Sequence, residues 1–338
     1  MLILRYAIAT LIPLACLLLG AVLGGWWAAL ALVWLTLFAA GMDHLLSPPP
    51  IGTTHAASAE ALSVTLASGH LALLPLASLA FADPTQTWGE TITLALAAAS
   101  FMGQVSHPNA HELIHRRPRA LRRLGVAVYV SMLFGHHVSA HRLVHHAFVG
   151  TESDPNTPRR GESFWAFLPR AWLGSFRAGH AQEARRHKPG SLPAYAIYVG
   201  GAALALVLAA LLGGWPGLLG FSIVAFLAQM QILLSDYIQH YGLTRRTLPN
   251  GRLEPVAPHH SWNAPRGFTS FLMVNAPSHS DHHMHPDRPY DALRIPEDAP
   301  LLPYSLPIMA MLATMPRRWR RNMDRRAEKA MAKAPPLP

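Results

Sequence analysis

AYAIYVGGAALALVLAALLGGWPGLLGFSIVAFLAQMQILLSDYIQHYG, Ala194 to Gly242, is the stretch that decides the fold. It holds two apolar runs, 194–213 and 216–236. Each has about the length a helix needs to cross a bilayer. Gly214, Trp215 and Pro216 lie between them, and Gly and Pro punctuate helices. The stretch therefore predicts a helical hairpin in lipid. Asp236 ends the second run, and a polar DYIQHYG carries His240 just beyond it.

The same design recurs toward the N-terminus. Runs 4–23 and 26–42 meet at Gly24 and Gly25, and runs 60–81 and 88–106 meet around Asp83 and Pro84. Pro13 and Pro75 fall inside runs, where membrane helices tolerate proline. A cleavable signal peptide does not explain the start, because apolar character continues through Phe38. Six spans in three hairpins are expected, with residues 124–135, apolar but short, as a re-entrant or interfacial helix.

Composition agrees with lipid as the solvent. Only 14% of the 338 residues are charged, against about 25% in soluble domains. The lone Cys16 excludes disulfide frameworks and Cys-ligated metal centres. The net charge of +10 comes from arginines that follow the fourth span (Arg116 to Arg123), precede the fifth (Arg159 to Arg186), follow the sixth (Arg245, Arg246) and fill the tail. With six spans and both termini inside, all of these face the cytoplasm, as the positive-inside rule requires. That reading makes the excess charge topological and calls for no nucleic acid.

Twenty histidines exceed what packing needs. His44, His55, His70, His180 and His187 stand apart and read as structural. The others gather on the basic side. HELIH places His111 and His115 at i, i+4; HRLVHH places His141, His145 and His146; HSDHH places His279, His282 and His283. On helices each set faces one way. HExxH by itself is the zinc-protease pattern, with Glu112 as general base. A protease would leave two sets unused, and one catalytic zinc takes three protein ligands. Imidazole also suits iron, so two metals are the economical reading. A histidine-lined metal transporter is a further alternative; it would place ionisable residues within the spans, where His70 is the clearest.

The sequence resembles the integral-membrane non-haem di-iron alkane hydroxylases, within the wider fatty-acid desaturase-like superfamily. HELIHR matches that family's HExxHK, AHRLVHHAFV its EHxxGHHxxV, NAPSHSDHHMHP the core of its LQRHSDHHxxP, and DYIQHYGL its NYxEHYGL. ESDPNTPRRGESFWAF, HSWN and RPYDAL are similar to flanking stretches. The likeness runs from about residue 100 to 325. Departures occur at Ala140, Val144, Asp236, Gln239 and Ser278.

The resemblance implies an all-α protein of six transmembrane helices with a histidine-rich di-iron cap on the cytoplasmic side. It implies one catalytic domain over 1–338: four spans in 1–106, HELIH and HRLVHH in 107–192, two spans in 193–236, and HYG with HSDHH in 237–338. Two irons would be held by His111, His115, His141, His145, His146, His240, His279, His282 and His283. Glu112, His136, Asp154, Gln239, His260 and Asp281 would stand behind them. The implied activity is O2-dependent hydroxylation of an unactivated C–H bond, the terminal methyl of an alkane or a similar hydrocarbon. A lipid desaturase or hydroxylase with the same centre is the alternative. There is no CxxC pair and no GxGxxG motif, so electrons are expected from a separate rubredoxin-like or ferredoxin-like donor with its NAD(P)H reductase. A multi-pass place in the cell membrane, with active site and termini inside and membrane lipids as partners, completes the expectation.

Overall fold

The computed structural model describes residues 2–45, 54–265 and 267–334. Among these, all extended regular elements are helical; strand-like pairing is confined to two isolated bridges, Thr247 with Leu253 and Asn263 with Leu301. Four helices are long and apolar enough to cross a membrane: Leu2–Leu23, Trp27–Leu45, Ala56–Phe81 and Ala194–His240.

The last of these is bent back on itself. Gly214 adopts φ 58° and ψ −149°, outside any helix. A Cβ built on Gly217 would lie 3.0 Å from the Ala209 carbonyl. Eight residues of continuous helix would separate the two by about 12 Å. The chain therefore reverses there, as the Gly-Trp-Pro turn foretells. The helix continues past Asp236 as far as His240, farther than the apolar run suggests.

The run 88–106 is broken in a different way. Trp88–Phe101 passes through a π-helical turn, Met102–Ser106, into His107–His115. Thr87 and Glu90 form a capping box at its start, which satisfies amide donors that a helix leaves bare. The same Glu90 accepts from the Gly25 amide at 2.7 Å, tying the first turn to the second. Close approach of Gly213 and Gly217 to the Ser78 carbonyl ties the third turn to the same end. Trp26, Trp88 and Trp215, one beside each turn, are strongly exposed. Tryptophan favours the headgroup level.

At the other end Arg119–Ser131 packs against His107–His115. Its last residue, Ser131, reaches His70, whose ring bridges Ser106 at 2.9 Å and Ser131 at 3.0 Å. His70 is thus a satisfied buried residue. Pro316–Ala332 is amphipathic: Trp319, Met323 and Ala327 are buried at i, i+4, i+8. Trp319 packs tilted against Tyr237 and edge-on against Tyr241. Tyr241 also donates to Asp324 at 2.5 Å. These contacts fix the end of the helix that delivers His240.

Candidate metal centre

Three helical segments and one helix end converge beneath the bundle. His107–His115 carries HELIH; His141–His145, a π-helical turn, with His146 carries HRLVHH; His279–Met284 carries HSDHH. His240 closes the long helix. Their rings form two groups. In one, ligand atoms of His111, His115, His141, His146 and His282 lie within 4.8 Å of one another; in the other, those of His145, His240, His279 and His283 do.

The nitrogens face inward. Nε2 of His141 lies 2.7 Å from Nε2 of His111 and 2.9 Å from that of His146, which is 3.2 Å from that of His282. In the second group Nε2 of His279 is 3.0 Å from His240 and 3.1 Å from His283. A neutral imidazole has one N–H, so hydrogen bonds cannot satisfy so many facing nitrogens. Nε2 of His115 and of His145 are buried with no partner. Burial, with neighbouring imidazoles in most cases, holds His111, His141, His146, His279, His282 and His283 well below the usual imidazole range. Burial lowers His115 to about 3, helped by Arg142. These rings are neutral at pH 7, with lone pairs aimed at common points. Such a donor set fits cationic metals and little else.

Outer contacts fix two rings. Nδ1 of His145 lies 2.8 Å from Asp154 Oδ2, which also accepts from Thr157 Oγ1 at 2.7 Å. Burial alone would lower His145 and raise Asp154, but each shifts the other the opposite way, and the net result is a raised His145 and a lowered Asp154. The proton belongs on Nδ1, leaving Nε2 free to ligate. His240 Nδ1 faces the His260 carbonyl at 3.3 Å, which assigns its proton in the same way.

The remaining expected residues are placed differently. Gln239 accepts from Ser235 at 2.9 Å and donates to the Ala276 carbonyl at 3.2 Å, beside the centre. The Glu112 carboxyl points outward to Arg116 at 3.3 Å. Burial raises it to about 7, against the pull of Arg116. Asp281 holds Arg288 at 2.5 Å, His285 at 2.9 Å and the Arg294 amide at 2.9 Å, pinning the RPYDAL stretch rather than a ligand ring. His136 packs against Phe134 and Phe176, with Ser175 Oγ 3.4 Å from its Nε2. His260 donates to Glu254 at 2.9 Å and accepts from the Ala257 amide at 3.0 Å. Glu254 is also clamped by Arg246 at 2.8 Å. Glu254, His259 and His260 lie close enough to suggest another metal trio, but that clamp already occupies the carboxylate and both nitrogens of His260.

Two residues were missed by the spacing argument. His137 stacks near His141 with both ring nitrogens buried and unpartnered, and His107 Nδ1 meets Tyr129 Oη at 2.9 Å. A signal existed: the four-residue period extends one turn back, as 107–111–115 and as 137–141–145. Both rings line a small cavity that also touches His111, His141, His279, Ser235 and Met273. Ser235 and Met273 in turn line a second, apolar cavity of about 260 Å³. That one opens beside the exposed Leu37 and Met311. The π-helical turns Trp34–Phe38 and Met102–Ser106 both border it, and such turns gather at functional places.

The profile of the fatty acid desaturase family matches residues 86–307, and the chain belongs to that family. Within it, the chain is similar to alkane 1-monooxygenase 2 of Pseudomonas aeruginosa, 33% identical over 70% of this chain and 64% of that protein. It is 31% identical to alkane 1-monooxygenase 1 of the same organism, over 77% of this chain and 73% of that one. The xylene/toluene monooxygenase hydroxylase component of Pseudomonas putida is 29% identical, over 94% of this chain and 86% of its own length.

Proposed function

We propose that this chain is a membrane hydrocarbon monooxygenase that places a hydroxyl on a methyl group of an alkane or alkyl-substituted aromatic. The observation that carries it is the pair of inward-facing imidazole groups abutting a cavity that shares Ser235 and Met273 with an apolar cavity, which opens beside the exposed Leu37 and Met311. His111, His115, His141, His146 and His282 would hold one iron, and His145, His240, His279 and His283 the other. Two irons, when bound, supply reductive activation of O2 and the oxidising power to break a strong C–H bond. The balance is one hydrocarbon, one O2, two electrons and two protons giving one alcohol and one water.

The chain's own residues do the rest. Asp154 and the His260 carbonyl hold protons on His145 and His240 so that the opposite nitrogens ligate. Pro108, Met273 and Ala276 line the cavity beside the histidines and limit water there. A hydrocarbon gains about 0.8 kcal/mol per CH2 in lipid, so an approach from the bilayer side suits it. Electrons come from a separate rubredoxin-like or ferredoxin-like donor and its reductase.

The membrane layout proposed has six spans, counting both arms of Ala194–His240 and the broken helix beginning at Trp88. The three tryptophan-bearing turns lie at the outer interface and the centre and termini on the cytoplasmic side. The basic connectors support that orientation.

The test is metal analysis of the purified full-length protein with a substrate panel of alkanes, methyl-aromatics and fatty acyl chains, donor proteins supplied. Iron with an alcohol product is expected. Alkene as the product would mean a desaturase. Zinc-only occupancy, with no turnover after iron is restored, would exclude the proposal. The outward turn of Glu112 speaks against a zinc protease, for which Glu112→Gln would abolish peptide cleavage and His282→Ala would not.

A further inference from the structure

A groove of about 300 Å³ lies against the HRLVHH segment at Arg142 and against Val138 just before it. Arg119, Arg122, Arg123 and Arg142 line it, together with Tyr198. These come from three places in the chain: the start of Arg119–Ser131, the π-helical turn His141–His145, and the first turns of Ala194–His240. Arg122 is held by the Arg116 carbonyl at 3.1 Å and by that of Arg117. Among the described residues, Arg119, Arg123 and Arg142 have no ion-pair partner. Glu183 lies behind Tyr198, accepting from Ser139 Oγ at 2.5 Å while that oxygen also meets Tyr198 Oη at 2.8 Å, and it does not line the groove. Among the described residues, nothing acidic lines the groove.

Four guanidinium groups around one hollow repel one another unless an anion sits among them. Guanidinium forks match phosphate oxygens. The rest of the wall is apolar, from Ile114, Val126 and Val138. Tyr198 opens a helix apolar enough to span a membrane, so the groove borders lipid. A free anion would not need apolar walls, and an acidic protein would not need a hollow. A molecule with an anionic phosphate head and a hydrocarbon body fits both features. Basic pockets between membrane helices bind such headgroups.

We propose that this groove is a binding site for the phosphate headgroup of an anionic phospholipid. The lipid would bridge the segment carrying His141, His145 and His146 to the helix beginning at Ala194. The groove shares a wall with the histidine segments through Ile114 and Arg142, but the lipid site does not depend on the hydroxylase reading.

The test uses full-length protein in neutral detergent, with bound lipid read by native mass spectrometry. Phosphatidylglycerol, phosphatidylcholine and inorganic phosphate are added in turn. The wild type is expected to retain phosphatidylglycerol at least tenfold more tightly than phosphatidylcholine, and the combined Arg119→Gln, Arg123→Gln, Arg142→Gln variant to lose that preference. Removing equal charge at the exposed Arg325, Arg326 and Lys329 should leave it within twofold. Arg119→Gln alone, with bound metal unchanged, guards against misfolding and should weaken retention severalfold. Displacement by inorganic phosphate at matching concentration would overturn the lipid assignment. Equal retention of both lipids, or preference surviving in the groove variant, would overturn the site. Loss of an acidic donor protein's binding, with lipid retention untouched, would make it a protein-docking surface instead and would also overturn it.

Discussion

The two histidine groups are built alike but supported differently. His145, His240, His279 and His283 are all buried, whereas His111, His115 and His146 of the larger group are only half-buried. The enclosed four-membered group has Asp154 behind His145 and the His260 carbonyl behind His240. Among the described residues, no carboxylate oxygen is hydrogen-bonded to a ring of the five-membered group; Nδ1 of His141 is buried without any partner. Two rings of the enclosed group are fixed by outer contacts, while Nδ1 of His283, like that of His141, is buried without a partner; with four members the group has no imidazole to spare. The other relies on number. Two metals held this way would not be equivalent, and single substitutions should tell them apart.

The largest effect should come from the enclosed group. His279→Ala leaves three imidazoles there; one metal equivalent should be lost and hydroxylation should fall below about 1% of wild type, beyond what outer-contact changes produce. Metal analysis and product formation check this. His115→Ala leaves four ligands in its group, so metal should stay, more weakly held, with measurable activity. Equal loss in both variants would erase the distinction.

Asp154→Asn should come next. It keeps a polar partner for His145 but removes the charge that fixes its proton. Chelator competition should show metal affinity at one site reduced about 10–100-fold, roughly 1.4–2.7 kcal/mol, with the other site unmoved. A smaller effect is expected at Met273, which lines both cavities. Met273→Trp should reduce turnover of long alkanes more than of a methyl-aromatic, with metal content unchanged, as product assays would show.

The smallest effect concerns the loop behind His240. Burial would raise the Glu254 carboxyl, but hydrogen bonds from Arg246 and His260 lower it from 4.5 to about 2. A carboxyl lowered on folding contributes stability that is present above pH 4.5 and fades as pH falls toward 2. Unfolding monitored through tryptophan fluorescence should show this acid sensitivity, and Glu254→Gln should reduce it.

Much of this was legible in the sequence, but not the partition of ligands. Apolar runs and the Gly-Trp-Pro turn foretell the reversal at Gly214, and i, i+4 spacing foretells which rings share a face. The sequence does not show that the adjacent His145 and His146 serve different groups. Neighbouring helix positions diverge by about 100°, and the π-helical turn at 141–145 alters the spacing of the side chains that follow, so only the fold decides. Glu112 and Asp281 look like natural partners for the histidines beside them. Arg116 and Arg288, close in sequence, draw both carboxylates away. His137 is not singled out by the resemblance, which points to its neighbour His136, yet its ring is the one that reaches His141.

The most direct measurement is iron bound per chain in wild type and in His279→Ala. Occupancy of both groups predicts about two irons falling to about one. A wild type that binds one metal, or a variant that keeps both, would contradict the paired centre on which the rest depends.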